Sequence, residues 1–338
     1  MRGIQYSRRY PGGRIATHVI EALAIDKNYP AALNDLAYVQ ARNREFAKAF
    51  DAMDRYVALL PKEPNPQDSY GELKRMAGDF ESSLTHYRAA LKIDPDFVTS
   101  QLGLGDTYAL MGNQEQARLE YDKAIRFAHN EADRLTYDMQ KAMTYVRDGN
   151  FAEADRQFQQ IAEAGHAKNQ DLQEAQALRH MAEYQADDNI ALKHLKLAEE
   201  SLDHRSTISI SDREEELSRI LRNRVVHAAR AGNQALADKS LQHLEAMANG
   251  SRNRVIQSSY NGAAGTLLME QKKYEDAIAH LEEDQDNPFT VELLVQAYYQ
   301  TMQTDKLHAA EAKLRGNNMP TMEQALVVPA ARSKRPNI

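Results

Sequence analysis

Small and bulky apolar positions recur along this chain as a fixed pair. A small residue is followed four places later by a large apolar one, each time near the start of the second helix of a predicted helical hairpin. The pairs are Ala49/Met53, Ser83/Tyr87, Ala117/Tyr121, Ala154/Phe158, Ala191/Leu195, Ala237/Leu241, Ala277/Leu281 and Ala310/Leu314. The first three small residues lie 34 apart, and the later intervals are 37, 37, 46, 40 and 33. A rhythm of this size predicts stacked hairpins, each burying its apolar face on its neighbours and none stable alone. The expected fold class is all-α, an α-solenoid.

Pattern and punctuation resolve both helices of a repeat. In 98–131, Leu104, Tyr108 and Met111 keep helical spacing. Gly112-Asn113 stops that helix, and Ala117, Tyr121, Ala124 and Ile125 mark the inner face of the next. Glycine stands five places before the small residue at Gly78, Gly112, Gly149 and Gly232, where a tight turn costs least without a Cβ. Small residues at Ala37, Gly71, Gly105, Ala142 and Gly265 let the first helix approach the second. Pro61 and Pro95 fall between hairpins. Ser211 and Glu214 read as a capping box opening a long helix over 211–231, after the polar loop His204-Arg205-Ser206-Thr207.

This set of residues resembles the tetratricopeptide repeat. The match is closest in 64–97 (Tyr70, Gly71, Gly78, Phe80, Ser83, Tyr87, Ala90, Pro95) and 98–131 (Leu104, Gly105, Tyr108, Gly112, Ala117, Tyr121, Ala124). It extends to 30–63 (Leu36, Ala37, Phe46, Ala49, Pro61) and 135–168 (Ala142, Tyr145, Gly149, Phe151, Ala154, Phe158). Beyond residue 170 the insertions lengthen, and Arg179 and Arg224 fall at or beside core positions. The resemblance implies a right-handed superhelix of antiparallel helix pairs, of bacterial origin, whose first helices line a concave groove holding a peptide or partner helix. The chain then divides into 1–14, a basic arm or the remnant of an incomplete repeat; 15–316, about eight and a half repeats, regular to 168 and degenerate after it; and 317–338, a tail.

Composition narrows the function. With 42% hydrophobic and 27% charged residues there is apolar surface for a core, and no run approaches the ~18 apolar residues that span a bilayer. A net charge of −7 argues against general attraction to nucleic acid. The absence of cysteine removes disulfides, zinc–thiolate sites and a thiol nucleophile. The first residues, with Arg2, Arg8, Arg9 and Arg14 around Pro11-Gly12-Gly13, lack the apolar core of a secretory signal. The expected location is the cytoplasm, or the periplasm if a signal precedes this sequence. Ala22-Leu23-Ala24-Ile25-Asp26 matches Ala90-Leu91-Lys92-Ile93-Asp94 at an offset of 68, so the chain opens on the second helix of a hairpin.

The repeat register implies which side chains face the groove. In the regular half these are Asn34, Tyr38, Asp68, Glu72, Leu102, Asp106, Met139 and Met143, a mixed acidic and apolar surface. Some tetratricopeptide domains hold a carboxylate with Lys and Asn where this chain has Asn34 and Tyr38, then Asp68 and Glu72; those acids would repel it. Further on, Arg219, Arg222, Val226 and Arg230 share one helical face, with His180 and Tyr184 from the preceding repeat nearby. Either this stripe holds an acidic peptide or a C-terminal carboxylate through charge-assisted hydrogen bonds worth ~1.5–3 kcal/mol each, or it is a solvated face balanced by Glu214, Glu215 and Glu216.

Signals for chemistry are weak. The eleven histidines are scattered with no H-E-x-x-H pair, and Gly103-Leu104-Gly105 lacks the strand and third glycine of a phosphate loop. No catalytic residue, cofactor or metal is expected. The function predicted is a non-catalytic scaffold binding a protein or peptide. The alternatives are a sensory or regulatory arm of a larger protein carrying a kinase or transcriptional domain, and an enzyme with its site in 170–260. The tail, with Pro320, Pro329 and Pro336 and the cluster Arg332-Ser333-Lys334-Arg335, is read either as disordered or as folding Ala325-Leu326-Val327-Val328 back over the last hairpin.

Overall fold

The computed structural model describes residues 12–203 and 208–333. The basic stretch through Pro11, the loop His204 to Thr207 and residues 334–338 lie outside the described residues, while Gly12 to Arg14 already belong to the first helix. Among the described residues there are eighteen α-helices and no strand. The chain is an all-α solenoid of antiparallel hairpins.

The chain separates into two compact units. The first comprises residues through His129 together with Asn318–Pro320; the second comprises Asn130–Asn317 and the residues from Thr321 onward. In the first unit, α1 (Gly12–Ile25) is followed by the hairpins α2 (Pro30–Arg42)/α3 (Phe46–Leu59), α4 (Pro64–Ala77)/α5 (Phe80–Ile93) and α6 (Val98–Leu110)/α7 (Gln114–Arg126). The second holds α8 (Glu131–Arg147)/α9 (Phe151–Ala167), α10 (Asp171–Tyr184)/α11 (Asp188–Leu202), α12 (Ile210–Arg230)/α13 (Gln234–Gly250), α14 (Arg254–Glu270)/α15 (Tyr274–Leu281) and α16 (Pro288–Gln300)/α17 (Thr304–Arg315). It closes with α18 (Met322–Ser333).

The marker pairs are the core. All eight small residues are buried, and so are all the bulky partners except Leu241, which is half-buried. Tyr87, Tyr121 and Leu281 fill the hollows left by Gly71, Gly105 and Gly265 on the facing helices: a Cβ on Gly105 would come within 2.6 Å of the Tyr121 ring. The eighth pair differs in register. In α3, α5, α7, α9, α11, α13 and α15 the small residue is the fourth of its helix, whereas Ala310 comes one turn later in α17.

A two-residue device separates the helices of a hairpin. Gly78, Gly112, Gly149 and Gly232 take φ between 70 and 86°, turning the chain out of the first helix. The residue after each, Asp79, Asn113, Asn150 or Asn233, then accepts a hydrogen bond from a backbone N–H in the first turn of the second helix. Where glycine is missing, Arg44, Lys272 and Met302 adopt the same left-handed conformation, and the following residue makes no side-chain cap. The long helix α12 starts earlier than its sequence suggests. Ser209, not Ser211, is the cap, its hydroxyl accepting from the Asp212 N–H, so Ser211 lies inside the helix.

The tail is helical from Met322 to Ser333, with Pro329 inside the helix. Val327 and Val328 pack with the apolar cluster of α15, α16 and α17, including Val291, Leu294 and Leu314.

Candidate partner-binding face

Consecutive first helices touch one another, α2 with α4 and α4 with α6 in one unit, and α8 with α10, α10 with α12, α12 with α14 and α14 with α16 in the other. Their outward side chains form a continuous face within each unit.

In the first unit that face carries a connected polar network. Tyr38 on α2 donates its hydroxyl to Glu72 on α4 at 2.7 Å, and Ser100 on α6 donates to Asp68 at 2.7 Å. Arg75 stands 3.6 Å from Glu72 and 3.9 Å from Asp106, and Tyr121 donates to Asp106 at 2.7 Å. Burial pushes the Asp68 carboxyl up to about 7, against the pull of the Ser100 hydroxyl. Burial also raises the Tyr38 phenol, and the neighbouring Glu72 carboxylate adds to it. For Arg75, burial opposes the charge, but Tyr87, Asp106 and Glu72 outweigh it and hold the guanidinium protonated. Its Nε and the amide oxygen of Asn34 are buried without hydrogen-bond partners among the described residues. Asn34, Tyr38, Asp68 and Glu72 are thus half-buried, while Asp106, expected on the open wall, is buried behind Arg75 and Tyr121. Asn318 belongs to this unit: its carbonyl accepts from Arg75 at 3.4 Å, and its side-chain amide donates to the Met76 carbonyl at 3.3 Å. Sequence reasoning missed Arg75; a charged residue at an inward-facing place of a regular repeat was the available signal.

In the second unit the arginine stripe divides. Arg222 turns inward, its guanidinium 2.7 Å from Asp284 and donating to Thr290 at 2.7 Å. Gly262 makes the room, since a Cβ there would lie 2.5 Å from the guanidinium carbon. Arg219 reaches Glu215 and Glu216, both at 3.5 Å. Arg230 is exposed and Val226 half-buried. His180 donates from Nδ1 to the Glu183 carboxylate at 2.7 Å and lies beside the Phe158 ring. Tyr184 stacks on Phe151, ring centroids 5.6 Å apart, and donates to Asp155 at 2.8 Å. Those rings draw both residues toward α9. The expectation of one open basic stripe is therefore corrected: of its arginines Arg230 is the exposed one, because the carboxylates of the same helix and of the next repeats claim Arg219 and Arg222.

The repeat register placed Arg179 and Arg224 at or beside core positions but did not show their partners. Arg179, buried on α10, pairs with Glu183 at 2.5 Å and with Glu216 of α12, and Asn223 donates to Glu183 at 3.2 Å. Burial alone would raise Glu183, yet Arg179 and His180 hold it down at about 2. Arg224 similarly pairs with Glu199 and donates to Ser240.

No group of three or more histidine, aspartate or glutamate side chains suited to a metal occurs among the described residues. No described helix is long and apolar enough to cross a membrane. A cavity of about 250 Å³ between α16 and α17, lined by Val291, Leu294, Tyr298 and Lys306, falls below the ~300–1,000 Å³ usual for small-molecule pockets.

Family models described as TPR repeat and tetratricopeptide repeat match residues 71–112 and 98–130. No curated protein matches the chain. Among solved structures it is similar to a tetratricopeptide repeat protein from Parabacteroides merdae, at 15% identity and TM-score 0.44 over 73% of this chain and 90% of that one. It is also similar to PilW, described as a type IV pilus biogenesis factor, at 16% identity and TM-score 0.44 over 66% and 96%. A third is pilF of Pseudomonas aeruginosa, at 13% identity and TM-score 0.40 over 70% and 96%.

Proposed function

We propose that this tetratricopeptide repeat protein is a non-catalytic scaffold that binds a segment of another protein along the face of its first helices. The observation that carries the proposal is the direct contact between consecutive first helices, which places side chains from three hairpins on one face of the first unit and from five on that of the second. Such a face can engage an extended or helical ligand at several points, where a single helix offers one. Tyr38, Asp68 and Glu72, held in position by hydrogen bonds between repeats, and the amide oxygen of Asn34, unpaired among the described residues, favour a ligand bringing donors or positive charge. Arg230, exposed on α12, supplies the opposite preference in the second unit. Affinity for a short segment is expected on the order of micromolar, since ordering a flexible ligand offsets much of its contact energy.

The test is a photoreactive amino acid placed at Arg230 or Asn34 on first helices and, as control, at the exposed Leu119 or Leu197 on second helices. Adducts to one protein from the first-helix positions alone support the proposal. Equal labelling from all four positions, or adducts only from the controls, overturns it.

A further inference from the structure

The helix α18 stands outside the hairpin rhythm, and the place it occupies is the face just described. It touches α8 and α10 at one end of the second unit and α16 and α17 at the other. Met322 is buried, and with Leu326 it joins the apolar cluster that contains Leu135, Met139 and Met143. Val327 and Val328 enter the cluster on α16 and α17. Between these apolar ends lies a polar clasp. Gln324 is 1% exposed; its side-chain oxygen accepts from Arg147 at 2.5 Å, and its amide donates to the Asn317 carbonyl at 3.4 Å. Glu323 accepts from Asn287 at 3.4 Å and lies close enough to Arg179 to favour its charge.

We infer that α18 is an internal ligand, and that the first-helix face of the second unit receives, in exchange for it, a partner helix of the same chemistry: Met and Leu on one side, paired β-branched residues a turn later, and an acid–amide dipeptide in its first turn. The inference rests on the scaffold reading above and specifies its ligand. Four observations mark α18 as exchangeable. It is tethered by the non-helical Asn317–Thr321. Its twelve residues are too few for a stable isolated helix, and Pro329 inside them removes a backbone donor and crowds the preceding turn. Its central contact is an amide–guanidinium hydrogen bond between the buried Gln324 and the half-buried Arg147, which fixes orientation and register more than it adds net stability, because both groups lose water to form it. Unlike α2 to α17, it has no hairpin partner.

The experiment uses the full chain. A labelled peptide of residues 320–333 is titrated by fluorescence anisotropy into the native protein and into a Met322→Asp/Val328→Asp variant, whose own α18 can no longer seat. The variant should bind the peptide at least tenfold more tightly than the native chain, and a Gln324→Ala peptide should bind at least fivefold more weakly. Equal binding to both proteins, or none to the variant, overturns the inference. If the variant does not fold, amide exchange in the native chain decides: α18 should exchange at least a hundredfold faster than α16, and equal protection refutes exchangeability. Failure here, with cross-linking to a partner from Asn34 or Arg230 intact, would leave the scaffold reading standing; failure of both would remove it.

Discussion

Replacing Arg222 by methionine separates a structural arginine from a recognition one. The guanidinium lies 2.7 Å from the Asp284 carboxylate, and the two side chains are only 12% and 3% exposed, so water screens the pair little. At an effective dielectric constant of ~20 the Coulomb attraction at such a distance is roughly 6 kcal/mol, most of it offset by the cost of dehydrating both ions. Removing one partner leaves that cost without the attraction. Arg222→Met should therefore destabilise by about 3–5 kcal/mol, and Arg222→Met/Asp284→Leu should recover most of it.

The loss has a pH signature. Burial already raises the Asp284 carboxyl, with Arg222 its main counterweight, so the substitution raises it further. A carboxyl whose folded pKa exceeds its unfolded value favours the folded state by protonation, and that contribution is lost as pH rises. The Arg222→Met deficit should thus be larger at pH 8 than at pH 5. Urea unfolding by circular dichroism measures it, with amide exchange in α14 and α16 as a local reading, since stacked repeats can unfold piecewise. A deficit below about 1 kcal/mol at both pH values would refute the reasoning and return Arg222 to the pool of binding residues.

Further outcomes follow from the same contacts. Asp68→Asn should stabilise the chain more at pH 8 than at pH 5: with the native carboxyl raised from the ordinary 3.8 to about 7, the folded state loses stability as pH rises between those two values. The full shift would correspond to roughly 4 kcal/mol, and about half is expected for a half-buried group; a pH-independent difference in urea midpoint would contradict it. Met302→Gly should stabilise by about 0.5–1 kcal/mol, because Met302 is 86% exposed and holds φ at 55°; an unchanged or lower melting temperature would refute this. Gly105→Ala should cost about 1–3 kcal/mol by driving a methyl group into the Tyr121 ring, and a neutral result in the same assay would show that the two helices can separate freely.

Much of the fold was legible because it repeats. Ala117/Tyr121 and Ala154/Phe158 are core because every hairpin needs a small residue facing a large one, and that need writes itself at a fixed spacing. The turn glycines were equally plain, while the Asp or Asn following each, which caps the next helix, went unread although it stood beside them. The eighth marker slipped by a turn because in α17 nothing but the Ala310/Leu314 spacing announced the register. The site was less legible. Spacing placed Tyr38 and Glu72 on one face, and they do meet, 34 residues apart. It could not reveal that Arg179 reaches Glu216 or that Arg222 reaches Asp284, since these pairs join different repeats across irregular insertions. The apolar run of the tail hinted at packing, but the Arg147–Gln324 hydrogen bond joins residues 177 apart and has no sequence signature.

The central claim, that a protein ligand lies along the first helices, is tested most directly by amide exchange of the chain with and without the partner captured from Arg230 or Asn34. New protection should concentrate in first helices such as α2, α4 and α6, or α8, α10 and α12, while exposed turns of α7 and α11 stay unchanged. Protection confined to the second helices, or none at all in the presence of saturating partner, would contradict the account.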